Sequence, residues 1–362
     1  MKSSDSPEAK IPVPDAADTG QPVPAHFASS HVEDESVTTT TRPLEIRESD
    51  LPPTFQAADR WAIAFQNHHL RFVKAHVLLG VVGASAAQMA FSLSGATGFV
   101  WALALCVLAQ LVTRVLVQRR PRWERIWCRS RAVAEQIRSL SWTYMMGVTP
   151  VVETGGKADG MPAAKAKVEA AIRLIREEWV QAVNAETRLP ATGSEVNDRM
   201  DEVRGRPHAN RVRLYLNDRV NDQINWYRNK AGFNRERRLI FLAIAVLCEL
   251  GAAGISVALL VHLAKPSPGD AGLQTALKYL LTFVWPCLAG ATAASGWAGF
   301  RRYGELAITY QRSAEQLAAI RVDIERLTED SEPNRQAFAG RVRECEELLT
   351  RENAIWFSRR SV

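Results

Sequence analysis

Residues 76–94 and 98–117 read HVLLGVVGASAAQMAFSLS and GFVWALALCVLAQLVTRVLV, two apolar runs separated by a short break. Residues 239–263 and 279–300 repeat the arrangement as LIFLAIAVLCELGAAGISVALLVHL and YLLTFVWPCLAGATAASGWAGF. Each run is close to the length of about 20 residues that a helix needs to cross a bilayer. Core helices of a soluble protein are the alternative, but they normally keep a polar stripe, which these runs lack. The runs therefore predict an all-α membrane protein with two tandem transmembrane helical hairpins.

Basic residues flank each pair of runs and are sparse in the loop within it. Arginines and lysines precede the first and third runs and follow the second and fourth, whereas the short loops carry only Lys265 and Lys278. By the positive-inside rule, both termini and the middle of the chain are cytoplasmic. We expect a multi-pass protein of the cell inner membrane, whose basic residues face anionic lipid and not nucleic acid.

The polar parts of the chain show apolar residues at every third or fourth position, which indicates helices. Residues 1–53 are the exception: they are rich in proline, hold ten acids and four bases up to residue 50, and are expected to form a disordered tail. Residues 54–150 form a first two-transmembrane domain, 151–209 a cytoplasmic helical linker, and 210–362 a second such domain. From residue 210 the pattern continues into the third run, which predicts one long helix extending from the membrane into the cytoplasm.

Four residues of the second pair of runs are candidates for lining or gating a pore: Glu249, Pro286, Gly290 and Ser295. Glu249 lies near the middle of its run, where a charge costs roughly 3 kcal/mol to insert. It either faces a pore or is a neutral side chain that is hydrogen-bonded to Thr282, Thr292 or Ser295 of the neighbouring helix. Pro286 predicts a kink, and the small residues around Gly290 permit close helix contact.

Cysteine, histidine and sequence motifs give no sign of a catalytic site. The five cysteines are spread singly, so neither a disulfide framework nor a metal site is expected. No HExxH motif occurs. A lipid-modifying enzyme remains an alternative, and its residues would be Glu135, His68 and His69, although adjacent histidines of a helix point in different directions. We therefore expect no enzymatic activity, no cofactor and no metal.

Aromatic and charged residues recur beside both pairs of runs. In the first half these residues are Trp123, Arg131, Ala134, Glu135, Ser139, Leu140, Trp142, Thr143, Tyr144 and Pro150. In the second half they are Tyr215, Arg219, Asp222, Gln223, Trp226, Tyr227, Lys230, Ala231, Asn234, Glu346, Glu352 and Trp356. The two sets resemble two subfamilies of the SLATT superfamily, the SMODS- and SLOG-associating two-transmembrane effector domains. The resemblance covers about residues 54–362.

A short identity between the halves favours duplication. Ala134-Glu135-Gln136 follows the first pair of runs, and Ala314-Glu315-Gln316 follows the second. Glu315 therefore joins the candidate structural residues of the family motif.

The resemblance implies a pore-forming or membrane-disrupting effector of a bacterial conflict system. Such effectors often stand beside nucleotide-producing or nucleotide-sensing modules, so a nucleotide-linked sensor or signalling protein would act on this chain in trans. Four spans enclose little space, and a pore would therefore need a homo-oligomer in the lipid bilayer. The alternative from another class is a non-conducting membrane scaffold or sensor that binds a cytoplasmic partner.

Overall fold

The computed structural model describes residues 45–117, 120–148, 160–183, 193–264 and 271–358. These residues contain α-helices and no strand, so the all-α prediction is confirmed for them. The helices are α1 (Pro53–Val117), α2 (Arg120–Met145), α3 (Met161–Val183), α4 (Asp198–Arg204), α5 (His208–Tyr215), α6 (Asp222–Ala264), α7 (Ala271–Arg301), α8 (Tyr303–Glu325) and α9 (Glu332–Ser358).

Large apolar side chains are exposed mainly in one part of the molecule. Among the described residues, 30 large apolar side chains are exposed, and 26 of these lie in the four apolar runs. Two described helical stretches, Pro53–Ala90 and His208–His262, are long and apolar enough to cross a membrane, and their most apolar windows are only 12% and 11% buried. A core helix would bury such a window. We call residues 76–117, 239–263 and 279–300 the apolar layer, and its surface is that of a protein embedded in lipid.

The two apolar runs of α1 lie side by side. The Cys106 thiol donates a hydrogen bond of 3.0 Å to the Gly83 carbonyl, and a Cβ built on Gly80 would lie 3.4 Å from the Gln110 side-chain nitrogen. In a straight helix, positions 83 and 106 would be about 35 Å apart. The chain therefore folds back within α1, and the two runs pack in antiparallel directions.

The remaining helices form a bundle around one apolar core, which we call the core bundle. The start of α1, helices α2 to α5, the start of α6, and α8 and α9 all contribute buried side chains to this core. Its largest fully buried residues include Tyr144, Ile172, Tyr215, Leu317 and Phe338. Both halves of the sequence thus share a single core.

Part of the predicted disordered tail is ordered and packs against the core bundle. The Ile46 amide donates a 2.9 Å hydrogen bond to the Asp218 carboxylate, and Asn197 donates a 2.8 Å hydrogen bond to the Asp50 carbonyl. The side chains of Ile46 and Leu51 are buried. The segment from Ile46 to Leu51 is therefore ordered, because both of these apolar side chains are buried in the core. Residues 1–44 of the predicted tail lie outside the described residues.

Two backbone features mark the passage between the core bundle and the apolar layer. Helix α5 continues into α6 through a π-helical segment, Leu216–Asn221, so one helical path joins the bundle to the third run. Helices α7 and α8 meet at Arg302, whose φ of 52° and ψ of 38° place it in the left-handed region. A non-glycine residue in that region is strained, and it separates the two helices.

Candidate functional site

Helices α6 and α7 approach closely through small residues. A Cβ built on Gly290 would lie 3.4 Å from the Cys248 sulfur, and one on Gly251 would lie 3.8 Å from the Cys287 sulfur. Ala245, Ala291 and Ala294 are buried at the same contact. The structure thus places Gly290 in helix packing, as small residues in membrane helices usually are.

Glu249 and Ser295 are exposed in the apolar layer. No described residue forms a hydrogen bond or ion pair with Glu249. Thr292, one of the residues that could have held it, donates its hydroxyl to the Leu288 carbonyl at 2.9 Å. Within one chain, therefore, the described part of α7 does not compensate the Glu249 carboxylate.

Helix α7 also forms a cavity of about 560 Å³ with α1. Apolar residues of α7 line it, among them Trp285 and Leu288, and three polar side chains of α1 also contribute: His76, Gln88 and Gln110. Helix α7 runs from Ala271 to Arg301 through Pro286, which is half-buried. The sequence does not predict this cavity, because the approach of α7 to α1 leaves no local pattern.

A buried ion pair ties α9 to the π-helical segment of the core bundle. Arg219 donates to both carboxylate oxygens of Glu346, at 3.0 and 2.7 Å, and the Tyr215 hydroxyl donates to the same carboxylate at 3.0 Å. The side chains of Arg219 and Glu346 are each 3% exposed. Burial alone lowers the pKa of Arg219, but the Glu346 carboxylate outweighs it and raises that pKa, so the pair stays charged.

Glu135 is the centre of a second charged cluster, in the first half of the chain. Arg131 contacts its carboxylate at 2.6 Å and Arg138 at 3.1 Å. Arg138 also reaches Glu48 at 2.7 Å, and Arg131 reaches Asp59 at 3.0 Å. Burial raises the pKa of Glu135, but the two guanidinium groups outweigh it and lower that pKa to about 2. Glu135 is therefore a fixed anion of the core bundle.

Several tryptophans and tyrosines of the motif pack against other aromatic rings. Trp142 of the first half meets Tyr215 of the second edge-to-face, with ring centroids 5.8 Å apart. Trp226 and Tyr227 of α6 both pack on Tyr310 of α8, at 5.5 and 5.8 Å. These pairs join helices that are distant in sequence, and one of them joins the two halves.

Models of one family match both halves of the chain. Residues 52–212 match SMODS and SLOG-associating 2TM effector domain 3, and residues 215–356 match SMODS and SLOG-associating 2TM effector domain 1. The chain belongs to the SLATT superfamily. Its tandem arrangement of two different SLATT domains confirms the resemblance found in the motif residues. No curated protein and no solved structure matches the chain.

The remaining SLATT motif residues have different surroundings. Tyr144 is buried and donates its hydroxyl to Asp201. Gln223 is half-buried and donates to Asp222 at 3.4 Å, whereas Glu315 is exposed and accepts a 2.8 Å hydrogen bond from Gln311. Trp356 falls in α9, and its side chain lies outside the described part of the structure. The motif thus contributes mainly to the interior of the SLATT core bundle.

The residues considered for enzymatic chemistry in this SLATT protein are engaged in packing. His68 lies beside Trp123, with ring centroids 6.3 Å apart, whereas His69 packs between Trp127 and Phe300. Glu135 is ion-paired, and a carboxylate with a pKa of about 2 is a weak general base. Among the described residues, no group of three or more His, Cys, Asp or Glu side chains could hold a metal ion.

Proposed function

We propose that this SLATT protein is an effector of a bacterial defence system that assembles as a homo-oligomer and opens the cell inner membrane. Glu249 carries the proposal, because its carboxylate lies on the exposed side of an apolar helix. Charged residues in membrane spans normally face a partner or a water-filled cavity, and an isolated one costs roughly 3 kcal/mol. A second copy of the chain, or water between copies, would remove that cost.

The α6 surface around Glu249 suits contact with another copy. Leu242 and Val246 precede Glu249 by seven and three residues, Ala253 follows it by four, and all three are exposed. Residues at these spacings share one helix face. The face is apolar apart from its single carboxylate, so copies arranged around an axis would bring their Glu249 side chains together and line a path for cations.

The proposed topology places both termini and the core bundle in the cytoplasm, with α1 and the α6–α7 pair each crossing the membrane as a hairpin. Basic residues at the cytoplasmic ends of the runs support this orientation. The contacts between Gly83 and Cys106, and between Gly290 and Cys248, support the two hairpins.

The trigger would act through the core bundle. The helical path from α5 through the π-helical segment into α6 joins the buried Arg219–Glu346 pair to the span that carries Glu249. A nucleotide-linked partner that rearranges the bundle would therefore move α6. The chain itself would bind no cofactor and catalyse no reaction in this scheme.

Membrane potential tests the proposal directly. The full chain is expressed from an inducible promoter in bacteria that carry a potential-sensitive dye, with and without the neighbouring signalling genes. We expect the wild type to depolarise the cells and Glu249→Leu to reduce the effect by at least tenfold. Glu236→Leu is the matched control, since Glu236 is an exposed acid of the same helix outside the apolar run.

Each outcome bears on one part of the proposal. If no variant depolarises the membrane under any trigger, the pore is excluded and the non-conducting scaffold or sensor takes its place. Equal depolarisation by the wild type and Glu249→Leu would remove Glu249 from the path. Equal losses in Glu249→Leu and Glu236→Leu would mean that the effect is one of net charge and not of a residue within the span.

A further inference from the structure

Three cationic side chains lie along α6 and at the junction of α7 and α8. Lys230 and Arg238 lie about two turns apart on one face of α6. The Arg238 guanidinium carbon would lie 3.6 Å from a Cβ built on Gly304, and the Arg301 guanidinium carbon lies 5.8 Å from the centroid of the Tyr303 ring. We call Lys230, Arg238 and Arg301 the junction cations.

The junction cations lack a neutralising acid among the described residues. None of the three forms an ion pair with a described carboxylate, and the nearby Glu305 pairs with Arg302 instead. The Nε of Arg301 is buried without a hydrogen-bond partner in the described part of the chain. Burial lowers the pKa of Lys230, and the charge of Arg301 lowers it further. An unsatisfied buried N–H group costs free energy, and so does the repulsion between like charges. A bound anion would reduce both costs.

The backbone around the junction cations is held in place. Tyr303 is buried, its ring stacks on Phe241 with centroids 5.8 Å apart, and its hydroxyl accepts a 3.2 Å hydrogen bond from the Trp297 indole. Asn234, between Lys230 and Arg238 on α6, is buried and donates to the Lys230 carbonyl at 2.6 Å. The cations therefore stand on a fixed scaffold and not on a flexible loop.

The position of the junction cations indicates which anion they suit. Arg238 immediately precedes the third apolar run, and Arg301 immediately follows the fourth, so both lie at an edge of the apolar layer. Lipid phosphates lie at that depth in a bilayer. Guanidinium groups bind phosphate through paired hydrogen bonds, and an ammonium group adds a compact charge.

We propose that Lys230, Arg238 and Arg301 bind a phosphate group at the junction of α6, α7 and α8. A phospholipid headgroup and a soluble phosphate compound present the same chemistry, so the experiment separates these two sources. This phosphate site is a separate property from the proposed pore, because phosphate binding can be measured in a protein that conducts no ions.

The test uses native mass spectrometry of the purified full chain in detergent micelles. Phosphatidylglycerol or phosphatidylcholine is titrated in one arm, and inorganic phosphate or glycerol 3-phosphate in the other. The charge-removing variant is Lys230→Gln with Arg301→Gln. The matched control is Arg228→Gln with Arg235→Gln, which removes two exposed cations from the same helix. Each cation at a membrane surface contributes roughly a fivefold gain in affinity for anionic lipid.

We expect phosphatidylglycerol affinity to fall at least fivefold further in the charge-removing variant than in the control, which loses only the general attraction of surface cations to anionic lipid. The same pattern with glycerol 3-phosphate or inorganic phosphate would also support the site and would make its ligand a soluble phosphate. Equal losses in both variants, or none in either, would overturn the proposal. If the double variant does not fold, Lys230→Gln alone is read against Arg228→Gln by the same criterion.

Discussion

At the residue scale, the two Ala-Glu-Gln triplets have different surroundings. Ala134 and Ala314 are both fully buried, yet Glu135 is buried among arginines whereas Glu315 is exposed. The shared triplet predicts that both alanines are buried, because their burial follows from helix periodicity. It could not predict the burial of Glu135, since Arg138 and the ordered segment around Glu48 cover it only in the folded chain.

The Glu135 cluster predicts how stability depends on pH. The pKa of Glu135 falls from an ordinary value of 4.5 to about 2 in the folded chain. The contribution to stability is therefore complete above pH 4.5 and is lost as pH falls towards 2, and it amounts to about 3 kcal/mol. Thermal unfolding in detergent should show Glu135→Gln to be less stable than the wild type at pH 7, with a difference that narrows from pH 5 to pH 3. A constant difference across this range would contradict the assignment.

At the element scale, the apolar runs predicted the helices of the apolar layer, because a bilayer imposes both their length and their composition. Two elements were not predictable. The π-helical segment contains Arg219, whose partner Glu346 is 127 residues away. The left-handed backbone conformation between α7 and α8 occurs at Arg302, where a sequence pattern would lead one to expect glycine. Both depend on contacts between distant helices, which local propensity does not encode.

The fold-back within α1 predicts a specific disulfide. A Cβ built on Gly83 would lie 3.5 Å from the Cys106 Cβ, within the range of about 3.5–4.5 Å found in disulfides. We expect Gly83→Cys to form a bond with Cys106 in oxidised membranes, detected by mass spectrometry of the linked peptides. A matched variant moves the partner by one residue, with Cys106→Ser and Val107→Cys, and should not crosslink because Val107 is exposed. If neither variant forms the disulfide, or if both form it to the same extent, the antiparallel packing is contradicted.

At the scale of the whole molecule, the sequence predicted two tandem SLATT domains, and the family matches confirm them. In the structure, the described residues form one compact unit, and both domains contribute to a single core. The motif residues predicted each domain separately, because each set follows its own subfamily pattern. The contact of Trp142 with Tyr215 crosses between the sets, and no pattern within either domain contains it.

A shared core predicts that neither domain is stable alone. Cutting the chain after Arg206, between α4 and α5, would remove the Tyr215 ring from Trp142, which is only 4% exposed in the whole molecule. We expect fragment 1–206 to be degraded or aggregated when expressed alone, and to copurify in a folded complex when coexpressed with fragment 207–362.

Variants of the second fragment identify the contact responsible. Tyr215→Ala removes a fully buried ring that packs on Trp142, and truncation of such a ring costs about 3–5 kcal/mol. It should abolish copurification, whereas Arg213→Ala, which changes an exposed residue of the same helix, should leave it intact. A folded, protease-resistant fragment 1–206 on its own would instead mean that the first SLATT domain has an independent core. Helix α6 extends from this shared core into the apolar layer. If Tyr215→Ala separates the two coexpressed fragments, it should therefore also abolish any depolarisation that the unsubstituted fragments cause.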